Sequence, residues 1–140
     1  MSLSLGEVSH FTIDHLSASD LADAWPIVRM SLAHADGAWW LCEAGDLLQR
    51  GGGVLAAHAP DGSIHGIATY EPVVKPRAGK VLAVDRLIAF ELSRSAPCRR
   101  ALCDAIELLA PALGCNGVAL AVPAKAYLQH RSSQIYGADG

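Results

Sequence analysis

Charge is scarce in this chain of 140 residues: 18% of it is charged and the formal net charge is −3. A general attraction to nucleic acid or to an anionic membrane needs a basic excess, so both partners are excluded as classes. Any anion site must then be local. No apolar run approaches the roughly 20 residues that span a bilayer. The opening MSLSLGEVSHF lacks a basic segment followed by an apolar one, so no secretory signal is expected. Four cysteines, Cys42, Cys98, Cys103 and Cys115, form no CxxC pair and do not suit a zinc site. They read as reduced, mostly buried thiols of a cytoplasmic protein. Repeats and linkers are also missing, so residues 1–140 are expected to form one domain. What is present is a 51% hydrophobic composition, enough to bury a core.

FTIDHL (11–16) alternates like a strand. Ser17 and Asp20 then have capping-box spacing, with Leu16 and Leu21 at the two staple positions. Leu21, Trp25, Val28 and Leu32 continue at helical spacing, and Pro26 should kink or interrupt that helix. A second helix is expected over Trp39 to Gln49, ending at Gly51-Gly52-Gly53. VLAAHA and SIHGIATYEPV flank PDG and predict a hairpin. KPRAG (75–79) predicts another turn, and KVLAVDRLIAFEL (80–92) a long strand. Strict alternation in that strand puts Val81, Ala83, Asp85, Leu87 and Ala89 on one face. Leu82, Val84, Arg86, Ile88 and Phe90 then take the other, and apolar residues on both faces predict a central strand.

RSAPCRRALCDAIELLAPALG (94–114) poses the main question. From Pro97 it reads as a helix whose apolar stripe runs from Cys98 to Leu113, with Gly114 as its stop. Yet Arg94, Arg99 and Arg100 crowd its positive end, each costing roughly 0.3–1 kcal/mol by the dipole. An anion bound there would turn the cost into a site. The alternative is three solvated surface arginines. GVALAVP (117–123) follows as a buried strand, parallel to the one before the helix. From Ala124 the chain reads as a weak helix and a glycine-containing end.

This order of elements, and LIAFELSRSAPCRRALCDAIELLAPALGCNGVALAV in particular, resembles the GNAT family of acetyl-CoA-dependent N-acyltransferases over residues 10 to 135. The resemblance implies an α/β (α+β) fold with a mixed, mainly antiparallel central sheet flanked by helices. Against the family pattern R/Q-x-x-G-x-G/A, Arg94 falls on the leading residue, Pro97 on the first glycine and Arg99 on the second. Both glycines are replaced, and Pro97 has no N–H to offer. By resemblance, Arg94, Ser95, Ala96, Cys98, Arg99 and Arg100 would hold the pyrophosphate of acetyl-CoA, with Ile88 and Ala89 along its pantetheine. The family carries a helix and two strands after the VALAV strand, where this sequence has 17 residues after Pro123. The sheet edge is therefore expected to be short or completed by a partner chain, making a homodimer.

Acyl transfer from coenzyme A to an amine needs a base for the amine and an acid for the leaving thiolate. Asp85 or Glu91 could be the base, although Asp85 could instead pair with Arg86. Tyr127, or Tyr136, could be the acid. Trp39, Trp40 and Tyr70 are candidates for lining the pocket of a small-molecule or protein amine. No metal is expected: His58 and His65 face each other across the hairpin without a third ligand. Cys98, at a helix N-terminus, is open to a second reading as a reactive thiol. The rival to an enzyme is a non-catalytic module of the same fold that binds acyl-CoA or another protein.

Overall fold

The computed structural model describes residues 11–32 and 35–120, together with the backbone of Ile135–Tyr136. Strand β1 (Thr12–His15) leads into a 3-10 helix (Ala18–Ala24) and a short helix α1 (Trp25–Val28). Ser17 stands at the N-cap, but its hydroxyl bonds the Asp20 carboxylate at 3.0 Å and no reciprocal capping box forms. The staple half of that expectation holds: Leu16 and Leu21 are both buried in one cluster. Pro26 sits in the first turn of α1, where its missing N–H costs nothing, and the break between the two helices falls just before it.

Helix α2 (Gly37–Gln49) begins two residues before the expected Trp39 because Asp36 caps it, accepting from the Trp39 N–H at 2.8 Å. Gly51, at φ 90°, ends it, and the Gly52 N–H returns to the Leu47 carbonyl at 2.9 Å. The hairpin follows as β2 (Gly53–His58) and β3 (Ile64–Lys75), then β4 (Gly79–Ala89). Helix α3 (Pro97–Ala112) ends at Gly114 (φ 77°), with the Cys115 N–H donated to the Ala110 carbonyl at 2.8 Å. β5 (Val118–Leu120) and β6 (Ile135–Tyr136) complete the sheet.

The strand order is β1-β2-β3-β4-β5-β6, antiparallel through β4 and parallel from β4 to β5 and β6. A helical crossover delivers a strand parallel to its predecessor, and α3 does this between β4 and β5. The outer edge of β5 meets β6 of the same chain at Val118 and Ala119. The expected tail helix and Tyr127 lie outside the described residues.

Both faces of the sheet are covered. On one, Cys98, Leu102, Ile106 and Ala110 of α3 pack on Leu55, Ala57, Ala68, Leu82, Val84 and Leu87. On the other, the 3-10 helix, α1 and α2 pack on Val54, Ala56 and Ile67 around a fully buried Trp40. The four cysteines are free, with Cys98 and Cys115 buried, Cys103 partly so and Cys42 exposed. None of the helices among the described residues is long and apolar enough to cross a membrane.

One expectation about β4 is corrected. Thr69 pairs with Arg86 and Tyr70 with Val84, so Asp85 is an extra residue with no partner across the ladder. This β-bulge shifts the alternation by one. Leu82, Val84 and Leu87 consequently face α3 together, with Ala89 packed beside them, while Ile88 joins the α2 side.

Candidate active site

The bulge opens a cleft. It lies between α2 and the β3–β4 ladder, on the face opposite α3, with a volume of about 270 Å³. Trp40, Ala44, Leu47 and the expected Tyr70 help wall it, and Glu43, Arg50, Thr69, Glu71, Ala83, Asp85 and Arg86 surround them. Thr69 is buried, and its hydroxyl is satisfied by accepting the Arg86 N–H at 3.1 Å. That bond replaces a ladder bond lost at the bulge and fixes its shape.

Charges around the cleft are mostly matched. Arg50 donates to both oxygens of Glu71, at 3.1 and 3.4 Å, and the hydrogen bond raises the guanidinium pKa. Arg86 lies 3.9 Å from the Asp85 carboxylate and 5.1 Å from the centre of the Trp39 ring, a cation–π distance. Three carboxylates against two guanidiniums leave one negative charge in excess, carried by Glu43. Asp85 remains 59% exposed despite its neighbour, so the carboxylate stays open to solvent and to ligands.

The second part of the site is the start of α3. Glu91 turns back from the end of β4, and its two oxygens accept the N–H groups of Cys98 (3.2 Å) and Arg99 (2.7 Å). A carboxylate at a helix N-terminus interacts favourably with the dipole and satisfies donors that the helix leaves open. The wrong-sign entrance is thereby explained: the compensating anion belongs to the chain. Ala96, at the N-cap, adopts a left-handed conformation (φ 50°, ψ 57°), which is costly for a residue with a Cβ. The loop holds it there with the Ala96 N–H donated to the Ser93 carbonyl at 3.2 Å and Ser93 and Ser95 hydroxyls bonded at 2.9 Å.

The structure therefore redistributes the expected roles. Glu91, a candidate base, is instead a helix cap with both oxygens engaged. Cys98 and Arg99, candidate amide donors to phosphate, have given their N–H groups to that cap. The Cys98 thiol is buried, and burial, helped by the Glu91 charge against a smaller opposing effect of Arg99, pushes its pKa up to about 12. It is not the reactive thiol that a helix N-terminus alone suggests. Arg94 and Arg100 are exposed. Trp40 is a core residue whose indole N–H donates to the Leu21 carbonyl at 2.7 Å, so it presents only an apolar surface. Trp39 is half-buried under Arg86. Tyr70 is buried, with its pKa raised by desolvation and its hydroxyl 2.7 Å from His15 Nε2.

Among the described residues, no cluster of three or more histidines, cysteines or acids could hold a metal. Ile88 and Ala89 lie on β4 beyond Val84, where the described pairing with β5 ends. The sequence reading missed Glu43, Arg50, Thr69, Glu71 and Arg86 as cleft residues. Arg50 and Glu71 meet only because α2 ends beside β3. No local spacing announces that.

No protein-family model matches the sequence, and no curated protein matches it. Solved structures do. The chain is similar to an acetyltransferase of Trypanosoma brucei, with a TM-score of 0.67 and 21% identity over 88% of this chain and 90% of that one. An aminoglycoside N-acetyltransferase in complex with CoA gives 0.72 and 16% over 89% and 84%. A ribosomal-protein-alanine N-acetyltransferase from Brucella melitensis biovar Abortus gives 0.68 and 20% over 89% and 90%. The chain has the fold of the GNAT N-acetyltransferases.

Proposed function

We propose that the protein transfers an acetyl or other acyl group from a coenzyme A thioester to an amine that enters the α2–β3–β4 cleft. The observation that carries this is the bulged β4. It joins the cleft at Asp85 to the loop and helix of a strand–helix–strand crossover, inside a fold shared with acetyltransferases that include one in complex with CoA. The excess negative charge of the cleft favours an acceptor that arrives as an ammonium ion.

Attack requires the neutral amine. Asp85, exposed on the bulge, takes the ammonium proton, directly or through water. The amine nitrogen then bonds to the thioester carbon, the C–S bond breaks and its electron pair leaves on sulfur. The thiolate takes up a proton as the amide forms. Arg86, held over Trp39 and beside Asp85, positions that carboxylate.

A second reading, a non-catalytic acyl-CoA-binding or protein-interaction module, is favoured by the filled N-terminus of α3. Mass spectrometry of products from acetyl-CoA and a panel of primary amines separates the two. The enzyme reading expects an acetylated amine, and a turnover lowered about 100-fold by Asp85→Asn with donor affinity unchanged. Donor binding without any acetylated product would overturn it in favour of the module.

A further inference from the structure

Each backbone donor at the start of α3 is accounted for. The Ala96 N–H goes to the Ser93 carbonyl, Pro97 has none, and the Cys98 and Arg99 N–H groups go to Glu91. The Arg100 N–H makes the first helical bond, to the Ala96 carbonyl at 3.0 Å. A phosphate at this end would need the same amides and would meet a carboxylate already on them. At such separations like charges repel strongly, and each carboxylate–amide bond displaced is of the charge-assisted kind. The pyrophosphate of coenzyme A therefore does not fit the helix N-terminus of this chain as it stands.

We infer that Glu91 is an internal substitute for the donor's phosphates, and that the protein recognises its acyl thioester through the pantetheine arm, with the phosphates contributing little. The inference rests on the proposed acyl transfer and adds the chemical class of the donor: pantetheine thioesters, phosphorylated or not. Arg94, exposed on the loop, and Arg100, exposed in the first turn of α3, add only an attraction that salt screens within about 8–10 Å. Glu91 is thus a residue of donor specificity. It lies two residues past the end of β4, so the loop that leaves the strand carrying Asp85 also sets what the helix can bind.

Isothermal titration of the wild type, Glu91→Ala and Glu91→Gln with three ligands tests this: acetyl-CoA, S-acetyl-pantetheine and inorganic pyrophosphate. In the wild type, the two thioesters should bind within about threefold of each other and pyrophosphate not at all at millimolar concentration. Glu91→Ala should gain pyrophosphate binding and tighten acetyl-CoA by about tenfold, equivalent to about 1.4 kcal/mol, with S-acetyl-pantetheine unchanged. Glu91→Gln keeps the shape, loses the charge, and should move the same way by less; it carries the test if Glu91→Ala fails to fold. The inference is overturned if the wild type prefers acetyl-CoA to S-acetyl-pantetheine by more than about tenfold. It is equally overturned if neither variant gains affinity for pyrophosphate. Failure of both thioesters to bind any of the three proteins would instead sink the acyl-transfer reading, and the pyrophosphate arm would still decide the role of Glu91.

Discussion

Cys98 and Glu91 show how one contact settles two residues. The carboxylate that accepts the Cys98 N–H also raises the cost of a thiolate next to it, in addition to the larger effect of burial. The folded-state pKa lies above the ordinary value of 9.0, at about 12. The protonated thiol is thus the favoured form, its contribution to stability is full below pH ~9, and it is lost as pH rises toward 12. At pH 8, iodoacetamide should therefore modify exposed Cys42 rapidly and leave Cys98 protected in the native protein, as peptide mapping would show. Comparable rates at the two sites would contradict the burial and the cap together. The anomaly of Arg99 and Arg100 at a helix start was legible in the sequence. Its resolution was not, although Glu91 lies only six residues before Pro97. Whether a loop turns its acid back onto the helix depends on its path, here the left-handed Ala96, which no local propensity favours.

At the scale of elements, turn and cap chemistry carried most of what could be read. PDG gave the hairpin, Gly51 and Gly114 gave the helix ends, and the strand–helix–strand rule gave the parallel β5. The bulge escaped because nothing in LAVDRLI distinguishes a strict alternation from one with an extra residue at Asp85. Both arrangements bury Leu82 and Val84; only the partner strand decides which. The close fit of α3 on β3 escaped for the same reason. A Cβ at Gly66 would stand 2.6 Å from the Cys98 sulfur and 2.9 Å from the Ile88 carbonyl oxygen, so the helix sits where only glycine permits. Gly66→Ala should destabilise the protein by about 1–3 kcal/mol through overpacking. Thermal unfolding should then fall by roughly 3–10 °C. An unchanged midpoint would mean that α3 is not seated as described.

For the whole molecule, the sheet separates two tasks. Its α3 face is a packed layer that ends in a helix entrance already satisfied by Glu91, while its α2 face holds the acidic cleft. β4 runs between the two, through the bulge and along Arg86 to Ala89. In the proposed reaction an acyl thioester lies against this length of β4 while Glu91 keeps its hold on α3. Backbone amide NMR during titration with S-acetyl-pantetheine reads both halves in one experiment. Concentration-dependent shifts of the Asp85, Arg86, Leu87, Ile88 and Ala89 amides are expected, with those of Cys98 and Arg99 unmoved. Shifts confined to other elements, or Cys98 and Arg99 amides that move as far as those of β4, would contradict this arrangement.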